Sequence, residues 1–71
     1  MSIEEALRLI KDLSLEQAEI DAKVFLCRNA IEHYNEISDE QKRLMSMQVD
    51  FMNKVSDVLR MRINNIKEGL S

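Results

Sequence analysis

The chain has no Pro, no Trp, one Gly, one Cys and one His. Each shortage excludes something. A single cysteine cannot close an intramolecular disulfide or supply a multi-thiolate zinc site. With one histidine, His33, no multi-histidine metal centre forms within one subunit. The glutamate-plus-Glu-x-x-His pattern of di-iron bundles is absent because position 30 is Ala30. One glycine cannot build a phosphate-cradling loop. No apolar run approaches the ~20 residues of a bilayer span, and Met1-Ser2-Ile3-Glu4-Glu5 is acidic where a secretory leader would be basic. The net charge of -3 argues against a protein that neutralises many phosphates. These exclusions favour a soluble, cytoplasmic, non-enzymatic chain without cofactor or metal, with no membrane and no nucleic acid among its partners.

What remains is helix. The 71 residues form a single helical-hairpin domain, 1–71, read as two helices over about 3–36 and 39–68. The only internal boundary is Asn35-Glu36-Ile37-Ser38-Asp39-Glu40-Gln41. There Ser38 can cap a new helix and Gln41 can reach back to it, while Asp39 and Glu40 face the positive end of the helix dipole. Ser2 with Glu5 repeats the signature at the start, and Gly69 followed by Leu70 fits a glycine C-cap.

Ile3, Ile10, Gln17, Val24 and Ile31 alternate with Ala6, Leu13, Ile20, Cys27 and Tyr34 at heptad spacing, which predicts one seam along the first helix. Leu15, Ala18, Ala22, Phe25 and Leu26 make a second apolar set outside it. In the second helix, Met45, Val49, Met52, Leu59, Ile63, Ile66 and Leu70 form a stripe broken by Ser56. Leu44, Met47, Phe51, Val58 and Met61 form another beside it, with Val55 between. A hairpin covers one face of each helix, so two apolar faces per helix predict self-association into a helical bundle, a four-helix dimer being the smallest solution. Phe25, Leu26, Met47, Phe51, Val58 and Met61 are the expected oligomer or partner face. Residues 1–40 hold 4 basic and 10 acidic side chains and residues 41–71 hold 6 and 3, which favours antiparallel pairing.

Few residues break the apolar pattern. Cys27 on the seam reads as inert packing. Gln17 and Gln48, on or beside the seams, read first as devices that fix register, and second as ligand contacts. If pairing positions sum to about 75, Arg62 falls near Asp12 and Glu16. An interhelical ion pair is then the simpler expectation, and an arginine aimed at a ligand phosphate or a partner carboxylate is the sharper one. Arg28, His33 and Tyr34 cluster near the turn as solvated groups or as a patch for a base or phosphate. Met45, Met47, Met52 and Met61 are core filler or an adaptable binding groove. Arg62, Arg28, Tyr34, His33 and Gln48 are thus the candidate ligand or partner contacts.

The run Leu44-x3-Gln48-x3-Met52-x2-Val55-x3-Leu59-x2-Arg62-Ile63 resembles a group of small helical-hairpin proteins of tailed bacteriophages. The likeness extends back to Lys23, Phe25 and Leu26, and Val55 stands where an aromatic is expected. That resemblance implies a phage product acting in a bacterial host cytoplasm, either binding a host protein or sequestering a nucleotide immune signal. The chain also resembles the two-helix co-chaperones of type III secretion needle subunits, which would imply that the Met-rich second helix covers a partner helix.

Overall fold

Two serines start the two helices. In the computed structural model, which describes residues 1–70, α1 runs Ile3–His33 and α2 runs Asp39–Leu70. Ser2 lies in extended backbone and its Oγ accepts the Glu5 N–H at 3.1 Å. Ser38 Oγ accepts the Gln41 N–H, also at 3.1 Å. Each cap satisfies an amide that has no partner within its own helix. In the first turn of α2, Arg43 donates to Glu40 through Nη2 at 2.6 Å and Nε at 3.0 Å. This fork holds the Glu40 carboxyl below its ordinary range.

Both helix ends on the C-terminal side differ from expectation. α1 stops at His33, not at 36, and Tyr34 caps it in an extended conformation. The Tyr34 N–H still closes the last turn on the Ala30 carbonyl at 3.0 Å. Asn35 and Ser38 follow within the connection, and their short polar side chains compete for backbone bonds and favour a turn. α2, by contrast, runs through Gly69 to Leu70, and Gly69 keeps a negative φ, so there is no glycine cap there.

The antiparallel seam forms as the heptads predict across the helix interior. Leu13, Leu59 and Ile63 make its buried centre, with Leu9, Ile10, Ile20 and Ile66 packed against them. All eight α1 heptad positions from Ala6 to Ile31 are buried or half-buried. The outermost two are not: Ile3 is 68% exposed and Tyr34 is 56% exposed. Ile3 lies level with the last turn of α2, where Leu70 is itself exposed, and Tyr34 has left the helix.

The hairpin is a rod of 51 × 14 × 13 Å measured on Cα atoms. Its radius of gyration is 16.0 Å, against about 11 Å for a compact chain of this length. Its accessible surface is 5532 Å². A compact protein of the same mass would expose about 4,600 Å², so roughly 900 Å² per chain is in excess. Among the described residues no large side chain is fully buried. One layer of two helices has an edge and a back, but no enclosed core.

Candidate functional site: an arginine groove beside open apolar faces

The middle of the seam is polar. Ser56 stands at a position where the heptad calls for an apolar residue, and it is buried. Its Oγ donates to Asp21 Oδ1 at 2.8 Å and accepts from Gln17 Nε2 at 3.3 Å. The same Nε2 reaches the Ser56 carbonyl at 3.4 Å. Sliding one helix past the other by a turn would break all three bonds and bury unpaired polar groups, so this cluster fixes register. Gln17 therefore does what a seam glutamine usually does. Gln48 does not share that role: it is exposed on α2.

The same register places Arg62 level with the stretch of α1 around Leu13. No ion pair to Asp12 or Glu16 forms; among the described residues the ion pairs are His33–Glu32, Arg43–Glu40 and Arg60–Asp57. The expected interhelical bridge is absent, and Arg62 is exposed. It lines a shallow groove of about 340 Å³ with Leu9, Val58, Met61, Asn65 and Ile66. None of those neighbours carries a negative charge. A guanidinium among apolar and amide groups, with no ion pair among the described residues, suits a ligand phosphate or carboxylate.

Arg28 also lines a groove, of about 300 Å³, with Ile31, Glu32, Ser46, Val49 and Asp50. Glu32 and Asp50 put two carboxylates in the lining of that groove, so it attracts an anion less than the Arg62 groove does. His33 lies 3.7 Å from Glu32. Tyr34 sits in the turn, where it lines a hollow with Asn35, Glu36 and Ile37. The grouping of Arg62 with Arg28, His33 and Tyr34 is not brought together by one hairpin. About fifteen residues of helix separate the level of Arg62 from Arg28, roughly 20–25 Å.

Phe25, Leu26, Met47, Phe51, Val58 and Met61 are all exposed, between 44% and 70%. Lys54 lies over the Phe51 ring, its Nζ 5.6 Å from the centroid. The polar strip of α2, including Ser46, Asp50 and Asp57, lies on its other side. Sequence reasoning missed Asp21 and read Ser56 only as a break in the stripe. The signal was present: Ser56 and Gln17 are the two polar seam positions, and they oppose each other in the expected register.

Among the described residues no three His, Cys, Asp or Glu side chains gather to hold a metal, and no helix is long and apolar enough to cross a membrane. The surface offers apolar area and an arginine whose groove holds no carboxylate, which are the features of a binding module. The Sequestin family model matches residues 8–65, and the chain belongs to that family. The matched span covers the seam, the Gln17–Ser56–Asp21 cluster and Arg62, and indicates a sequestering, binding protein in preference to a catalytic one. No curated protein and no solved structure matches the chain. The sequestering character implied by the phage-protein resemblance is thus upheld, while nothing supports the secretion co-chaperone.

Proposed function

We propose that this chain is a phage-encoded sequestering protein that works as a homo-oligomer in the host cytoplasm and holds a nucleotide immune signal. Arg62 carries this assignment. It is the arginine whose groove contains apolar and amide groups but no carboxylate, an environment that suits a base beside a phosphate. Self-association is supported by the surface. An excess of roughly 900 Å² per chain is close to the ~800 Å² per partner that a stable interface covers. Catalysis has no role in this scheme: the protein acts by lowering the free concentration of its ligand.

The test is thermal denaturation of the purified protein with a panel of cyclic and linear nucleotides. A ligand at 100 times its Kd stabilises by about 2.7 kcal/mol. For a chain of this size that raises Tm by roughly 10–20 °C. Arg62→Ala should abolish the shift and leave the oligomer mass unchanged. No shift with any nucleotide, together with recovery of one bacterial protein in a pull-down, would replace the small-molecule ligand with a host protein target.

A further inference from the structure

Resting on the nucleotide reading above, we infer that the ligand's base lies in a second hollow beside the Arg62 groove, where Asn65 reads its edge and Gly69 leaves it room.

The two hollows form one trough. The Arg62 groove and a neighbouring hollow of about 300 Å³ share Asn65 and Ile66 in their linings. Ile66 is half-buried against the seam, beneath the boundary between them. Beyond it, Ala6, Gly69, Leu70 and Met1 line the second hollow, which contains no charged side chain. Arg62 and Gly69 stand two turns apart on α2, about 10 Å along the axis. A nucleotide unit spans a comparable length from its phosphate to the far edge of its base. Its anion belongs at the arginine, and its flat neutral ring in the apolar half of the trough.

Gly69 points to the same place independently. It is the only glycine of the chain, and glycine is a poor helix former. No cap or positive φ calls for it, since α2 runs through it to Leu70. Packing does not call for it either: a Cβ built there meets nothing within 4 Å. What the missing side chain provides is space. A glycine lets a ligand approach the backbone closely, and this one lies in the lining of the second hollow.

Asn65 supplies the reading group. It is exposed and stands one turn beyond Arg62, at the i,i+3 spacing where helix side chains are neighbours. Among the described residues its carboxamide has no hydrogen-bond partner. That amide offers a donor and an acceptor side by side. Each nucleobase presents the complementary pair along one edge, and asparagine can hold such an edge through two bonds. The charged residues nearby stay outside the trough. In the register of Gln17 with Ser56, Glu4 and Glu5 stand level with Gly69, and Lys11 and Asp12 level with Arg62. None of these four lines either hollow, nor do Lys67 and Glu68 beside Gly69.

Isothermal titration calorimetry tests this with cyclic AMP, cyclic di-AMP and linear pApA, set against ribose phosphate and pyrophosphate as probes without a base. Wild type should bind at least one of the nucleotides about tenfold or more tighter than either base-free probe. Gly69→Leu fills the second hollow and Asn65→Ala removes the reading amide. Each should raise the Kd for that nucleotide about tenfold or more, with the circular dichroism spectrum unchanged. Asn64→Ala is the control: it removes an exposed amide one residue away that lines neither hollow, and should bind as wild type does. Should Gly69→Leu lose helicity, Asn65→Ala against Asn64→Ala decides alone. A helical Gly69→Leu or Asn65→Ala that binds as wild type does, or ribose phosphate binding as tightly as the nucleotide, overturns the base site and leaves the Arg62 site standing. No binding of any nucleotide to wild type overturns both.

Discussion

Leu59→Ala tests the seam where it is tightest. Leu59 is 3% exposed and packs with Leu13 and Ile63. The substitution removes three carbons, about 2.4 kcal/mol of transfer free energy at ~0.8 kcal/mol per methylene. A residual cavity brings the loss to about 3 kcal/mol. A domain of this length has a total stability of roughly 4–10 kcal/mol, so the variant should lose a third or more of it. Urea unfolding followed by far-ultraviolet circular dichroism reads this directly. Total protein concentration must be matched, because association adds to apparent stability by mass action. The midpoint should fall with the slope unchanged. Val58→Ala is the internal control, one residue away but 48% exposed in the hairpin. Within the hairpin it should cost under about 1 kcal/mol. A Leu59→Ala loss below 1 kcal/mol, or a Val58→Ala loss equal to it, would show that the helix phase is wrong.

A double-mutant cycle on Gln17→Ala and Ser56→Ala should give a coupling of about 0.5–1 kcal/mol, since the bond between them is long and only half-buried; additivity within error would remove Gln17 from the register cluster. Gly69→Ala should stabilise α2 by about 0.5 kcal/mol, because the residue is helical and a Cβ there meets nothing within 4 Å. Destabilisation would point to a left-handed cap in solution. Arg43 holds the Glu40 carboxyl low in the folded state, so its stabilising effect is present at neutral pH and is lost as pH falls through the carboxylate range. Acid titration of Glu40→Gln should therefore show a shallower loss of helicity than wild type.

Much of the fold is legible in the residues because the chain is nearly all periodic. Ser2 and Ser38 mark both helix starts, and the spacing of Ala6 through Ile31 marks the seam. Legibility fails where periodicity says nothing. Heptad spacing carries straight through Tyr34, but the backbone turns at that residue, as turn-forming Asn35 and Ser38 demand. Gly69 permits a cap without requiring one, and the helix runs on. Register arithmetic set Arg62 level with Asp12 and Glu16, yet levels do not make a bridge: the arginine is exposed and unpaired among the described residues. Arg62 and the Arg28–Tyr34 group, which the sequence already set at different levels, stand apart along a 51 Å rod.

Sequestration by an oligomer is tested most directly by native mass spectrometry of the protein purified without denaturation or harsh desalting. We predict a mass at a multiple of the 8.3 kDa chain, displaced upward by a few hundred daltons when a nucleotide ligand is present, with the displacement lost in Arg62→Ala. A bare 8.3 kDa monomer at the same concentration, unchanged by every nucleotide, would contradict it.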